Sequence, residues 1–90
     1  MLTFETTSKY RKDIKRIKKR GLDLSLMDEV VQLLLKEKPL DPKYRDHELI
    51  GDYAGCRECH ILPDWLLIYA IDKGKLILTA IRTGSHSDLL

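Results

Sequence analysis

The stretch CRECHILPDWLLIYAIDKGKLILTAIR, residues 56–82, decides the fold. It holds three strand-like runs, CRECHIL, DWLLIYAI and KLILTAIR, of the apolar and β-branched kind that pleated sheets favour. Leu62-Pro63-Asp64 parts the first two and Asp72-Lys73-Gly74 the next two, and both separators carry turn chemistry. Trp65 to Ile71 is apolar on both faces, which predicts a central strand covered on each side. Upstream, DPKYRDHELIG (residues 41–51) reads as a polar loop in which Leu49 and Ile50 form a short extended piece.

The N-terminal part changes period. Residues 2–6, LTFET, alternate as a short or edge strand does. Thr7 or Ser8 can cap a helix running to about Arg20, with Tyr10, Ile14 and Ile17 on one narrow face and Gly21 at its stop. A second helix begins near Ser25, which can cap it, and buries Met27, Val30, Val31 and Leu34, a stripe that Leu33 and Leu35 broaden. It ends before Pro39, because a proline disfavours helical geometry in the residue ahead of it. About four residues join the helices, so an antiparallel hairpin is expected. The order is therefore β-α-α-β-β-β with a short tail. That is an α+β fold in which the helical hairpin packs on one face of a small antiparallel-rich sheet.

Ninety residues imply one domain, 1–90, able to bury roughly 60–65% of its unfolded surface. With 43% hydrophobic and 33% charged residues the chain reads as globular. No apolar run nears the roughly 20 residues of a membrane span, and the opening residues lack a signal-peptide pattern, so no membrane partner and a cytoplasmic location are expected. The net charge of +2 is uneven: residues 1–38 carry +4 and residues 39–90 carry −2. Lys9 to Arg20 holds eight basic residues and one acidic, so Lys12, Lys15, Lys18 and Lys19 form either a solvated helix face or a contact for RNA.

The chemistry lies in the second half. All three histidines, His47, His60 and His86, fall there in polar settings, and imidazoles can supply acid and base together near neutral pH. Asp64 follows His60 across the Pro63 turn, where a carboxylate can fix the tautomer of a neighbouring ring. Arg82 offers a fork for a phosphate, and Trp65 either packs in the core or stacks on a base. Arg57 is a weaker candidate, since strand alternation sets it on the face opposite His60. CRECH, residues 56–60, also matches a haem-attachment pattern and offers half a zinc site that His47 and His86 would complete. Against these stands the plainer reading of Cys56 and Cys59 as reduced thiols.

Three segments together, DHELIG at 46–51, RECHILPDWLLIY at 57–69 and RTGSH at 82–86, resemble the YafQ-type toxins of the RelE/ParE superfamily. The likeness runs through nearly the whole chain. It implies the RelE/ParE-like fold and a toxin of a type II toxin–antitoxin system that enters the ribosomal A site and cuts messenger RNA, with a cognate antitoxin as partner and no cofactor. It places the catalytic set on His47, His60, Asp64 and His86, a phosphate-contacting arginine on Arg82, and an active-site aromatic on Trp65. Where the family often has a C-terminal aromatic this chain has Leu89 and Leu90. Cleavage without a metal would leave a 2′,3′-cyclic or 3′-phosphate and a 5′-hydroxyl. The alternatives are a ParE-like, non-enzymatic toxin acting on gyrase, and a small zinc-binding interaction module.

Overall fold

The computed structural model describes residues 1–89, and Leu90 lies outside them. In chain order the elements are β1 (Thr3–Thr6), α1 (Ser8–Lys19), α2 (Leu24–Leu35), β2 (His47–Glu48), β3 (Arg57–Leu62), β4 (Trp65–Asp72), β5 (Ile77–Gly84) and α3 (His86–Leu89). Short 3-10 turns at Pro42–Tyr44 and Gly51–Tyr53 flank β2. One five-stranded sheet runs β1-β5-β4-β3-β2, with β1 parallel to β5 and every other pair antiparallel. β4 is the middle strand, as its two apolar faces require, and Trp65 to Tyr69 are all buried.

Thr7 caps α1 by accepting from the Tyr10 N–H at 3.0 Å, and its hydroxyl donates to the Ile81 carbonyl at 2.6 Å. The cap thus also fastens α1 to the bulge of β5, where the register with β4 shifts. α1 packs mainly on β5 and α2 on β3. Ile17, Met27, Val30 and Leu34 meet Cys59, Trp65, Leu67, Tyr69 and Leu78 in the core between helices and sheet.

Two expectations need correction. The α2 cap is Asp23 rather than Ser25: its Oδ1 accepts from both the Ser25 N–H (2.9 Å) and the Ser25 hydroxyl (2.7 Å), which holds the Asp23 carboxyl below its ordinary range. The extended piece of the loop is His47–Glu48, not Leu49-Ile50. Its pairing uses backbone groups against Arg57 and Glu58, so apolar side chains were not needed to make it. The short tail expected after the last strand holds a helical turn, α3, and Ser85 and Asp88 cap each other reciprocally at its start. The Ser85 N–H donates to Asp88 Oδ2 (2.8 Å) and the Asp88 N–H to Ser85 Oγ (3.2 Å).

Candidate active site

α1 and α2 cover one face of the sheet and leave the other to carry polar groups. Strand register places His60 opposite Leu66, Glu58 opposite both His47 and Ile68, and Arg82 opposite Ile68, so these residues share the open face. Leu49, Ile50, Tyr53 and Leu89 fold over the apolar part of that face and leave a cleft of about 180 Å³ that reaches Glu58 and His86. The three imidazoles form a row. The His47 and His60 ring centres are 6.1 Å apart, and those of His60 and His86 are 5.7 Å apart.

Each end of the row has its own hydrogen bond. The His47 Nδ1 lies 2.7 Å from the Arg45 carbonyl. A carbonyl only accepts, so Nδ1 carries the proton and the neutral ring keeps its lone pair on Nε2. At the other end, Asp64 Oδ1 accepts from the His86 N–H (2.9 Å) and lies 2.5 Å from His86 Nδ1. Those two donors hold the Asp64 carboxyl below its ordinary value, so it stays ionised at neutral pH. Asp64 therefore orients His86, and the expected pairing with His60 is corrected. A register shift between His60 and Leu62 re-aims the turn, and the partner of Asp64 comes from 22 residues away.

Arg82 sits where β5 runs beyond the end of β1. Its Nε donates to Asp13 Oδ2 (2.7 Å) and its Nη2 to Asp13 Oδ1 (3.1 Å), while Tyr53 approaches the same guanidinium. The Asp13 hydrogen bond raises the Arg82 pKa above its ordinary value. Asp13 is 2% exposed and also accepts the Thr83 N–H at 3.1 Å. Trp65 is 2% exposed as well, and its indole N–H donates to Thr83 Oγ1 at 2.9 Å. Base stacking on Trp65, one expected role, is corrected accordingly: the ring packs in the core, and through Thr83 it steadies the strand that carries Arg82.

Arg57 lies on the helix side, as alternation requires. Its Nε donates to Asp46 (3.3 Å), which also accepts from the Tyr69 hydroxyl at 2.6 Å. That network anchors the residue just before His47. Burial and the Asp46 carboxylate raise the Tyr69 phenol above its ordinary pKa. Cys59 faces the core, and burial pushes its thiol up to about 12. Cys59 is thus on the face opposite His47 and His86, so the alternative zinc site of Cys56, Cys59 and those two rings is not assembled. Both thiols are free. Glu58, which sequence reasoning passed over, does belong to the site. Glu58, His60 and His86 place one ligand atom each within 4.8 Å of one another, a set of donors that fits a divalent transition metal.

Lys12, Lys15, Lys18 and Lys19 are all exposed along α1. That helix runs beside β5 from Thr7 to Arg20, whose guanidinium grips both Asp88 oxygens at 2.5 and 2.9 Å. The basic helix therefore ends on the element that bears His86. The Arg20 hydrogen bond, with help from Ser85, holds the Asp88 carboxyl well below its ordinary value. Because that value is depressed, the contact is complete above the ordinary carboxylate range and is lost only as pH falls through the lowered one. Asp88→Asn should therefore loosen α3 at neutral pH, a state the unaltered chain reaches only in strong acid. Faster amide exchange at Ser85–Asp88 with a nearly unchanged melting temperature would show it, and unchanged exchange would dismiss the latch. Gly84 is part of this arrangement, since a Cβ there would lie 2.7 Å from an Asp88 oxygen.

The imidazole row stands on the open face of an α+β sheet, and the fold is that of solved bacterial toxins. Residues 2–90 match the model of the family described as "Bacterial toxin of type II toxin-antitoxin system, YafQ", and the chain belongs to that family. It is 39% identical over 87 residues to the Escherichia coli K12 protein named mRNA interferase toxin YafQ, covering 94% of this chain and 91% of that one. Among solved structures it resembles a metal-bound toxin from Helicobacter pylori, with 50% identity, all of both chains covered and a TM-score of 0.94. The toxin in an E. coli DinJ-YafQ complex matches with 33% identity, 100% and 99% coverage and a TM-score of 0.90. No helix among the described residues is long and apolar enough to cross a membrane.

Proposed function

We propose that this chain is a ribosome-dependent endoribonuclease that cuts messenger RNA in the A site by acid–base chemistry, in the cytoplasm, restrained by a cognate antitoxin. The E. coli relative is named an mRNA interferase, and a related toxin is solved with DinJ. The observation that carries the mechanism is the opposite dressing of the two outer rings, with Arg45 O on His47 and Asp64 on His86.

His47 Nε2 takes the proton of the 2′-hydroxyl. The 2′-oxygen forms a bond to phosphorus, and the bond from phosphorus to the 5′-oxygen breaks. His86, protonated and steadied by Asp64, gives its Nε2 proton to that leaving oxygen. The products are a 2′,3′-cyclic phosphate, or the 3′-phosphate it hydrolyses to, and a 5′-hydroxyl. His60, in the middle of the row, contacts the phosphate, and the Arg82 edge not used by Asp13 meets its developing charge. A metal on Glu58, His60 and His86 would compete for a nitrogen of His86, the proposed acid, and no step of this scheme runs through one. Toxin dialysed against a chelator and added to a translating extract should cut as before, with 5′-hydroxyl ends on the mapped fragments. A 5′-phosphate, or loss of cutting after dialysis, rejects the scheme.

The α1 lysines hold ribosomal RNA. Converting Lys12, Lys15, Lys18 and Lys19 to Gln should flatten the salt dependence of ribosome binding, since each phosphate contact adds nearly one unit to the log–log slope. An unchanged slope returns the helix to a solvated face.

A further inference from the structure

We propose that the groove at the outer edge of β3 receives one flipped-out nucleobase of the RNA, next to the scissile phosphate. The proposal rests on the nuclease reading and adds a base-selective subsite to it. The groove encloses about 430 Å³ between α2, the Pro42–Tyr44 turn and the β3–β4 turn. Leu26, Tyr44, Leu62 and Pro63 give it apolar walls. Its size lies toward the lower end of the roughly 300–1,000 Å³ of small-molecule pockets, which suits a base with its sugar.

Two further features select a nucleotide as occupant. The first is continuity: His60 forms a wall of the groove and is also the middle ring of the catalytic row. A strand whose phosphate lies over that row therefore brings an adjacent base to the groove. Single-stranded RNA is commonly read in this way, with a splayed base held against apolar and aromatic side chains. The second is charge. Lys43 and Arg45 stand exposed at the rim, where a phosphodiester backbone would pass. The Lys43 ammonium lies 5.1 Å from the centre of the Tyr44 ring, which keeps positive charge at the mouth.

Glu29 supplies the discrimination. Its carboxylate lines the same groove and, ionised, can only accept hydrogen bonds. Adenine, cytosine and guanine each offer an exocyclic amino group, whereas the one ring donor of uracil, N3–H, stands between two carbonyl oxygens that would crowd and repel the carboxylate. The subsite should thus disfavour uracil at one position flanking the cut.

The test is cleavage of ribosome-programmed transcripts in which each nucleotide beside the cut is varied in turn. The unaltered chain should show about a tenfold bias against uracil at a single position, the size expected of one lost hydrogen bond. Glu29→Gln, at an exposed helix position, gains an amide that can donate to the uracil carbonyls and should erase that bias by raising cleavage of the uracil transcript. Leu26→Trp, which fills the groove, should lower cleavage of the preferred transcripts about tenfold, to the level of the uracil transcript, with a melting curve to confirm the fold. A bias that survives both changes overturns the subsite while the nuclease stands. Loss of antitoxin binding in Leu26→Trp with the bias intact would make the groove a protein-docking surface and likewise overturn it. No cleavage by the unaltered chain would bring down the nuclease reading and the subsite together.

Discussion

His86→Gln should cut RNA about a hundred- to ten-thousandfold more slowly than the unaltered chain and melt at nearly the same temperature. The ring stands outside the core on α3, with a side chain 49% exposed, so no buried contact is lost. Glutamine keeps an amide able to donate to Asp64, but it has no proton to release to a leaving oxygen. α3 itself is held by other contacts, the reciprocal Ser85–Asp88 caps and the Arg20 pair. Single-turnover cleavage on programmed ribosomes beside a thermal melt separates the outcomes. Full activity would remove His86 from the reaction, and loss of activity together with unfolding would make its role structural.

How far such a site could be read from sequence depends on how local its contacts are. The three long strands were legible because their apolar runs and turn residues are contiguous, and the helices because their stripes repeat within each turn. The Asp23 cap was missed because two good capping residues stand two apart. The structure favours the carboxylate, which accepts twice from Ser25. α3 had a visible signal in Ser85-His86-Ser87-Asp88, a short-range cap pattern that reads as tail only if its last member is overlooked. The three imidazoles stood out by residue type, and the fold brings them into one row. Their partners are another matter. Asp64 stands close to His60 in the chain, yet a bulge and a contact 22 residues away give it to His86. Trp65 shows the limit of composition: an aromatic suited to stacking on a base is spent on the core. Glu58 passed unnoticed because only the β2–β3 register sets it opposite His47.

Asp13→Asn should destabilise the fold by about 3 kcal/mol, the scale of breaking one partner out of a buried ion pair. For a domain of this size that lowers the melting temperature by roughly 12–24 °C. Asp13 was visible as an anomaly, the one acidic residue among eight basic ones in Lys9–Arg20, and it shares the α1 stripe with Tyr10, Ile14 and Ile17. A charge set on an apolar stripe needs a buried partner, and this one has several. Its carboxylate accepts from Arg82 twice and from the Thr83 N–H, and Arg16 lies 3.4 Å away. An amide keeps the shape but loses the charge, and it turns one accepting atom into a donor facing donors. The Arg82 guanidinium, whose side chain is only 16% exposed, would then be left poorly paired next to the site. Cleavage should fall as well, since Arg82 would no longer be aimed. A double-mutant cycle identifies the cause. Arg82→Met removes the charge that Asp13 balances, so Asp13→Asn added to it should be less destabilising than it is alone. Equal losses in both backgrounds, read from urea unfolding, would mean that the two residues act independently and that Asp13 is not what holds Arg82.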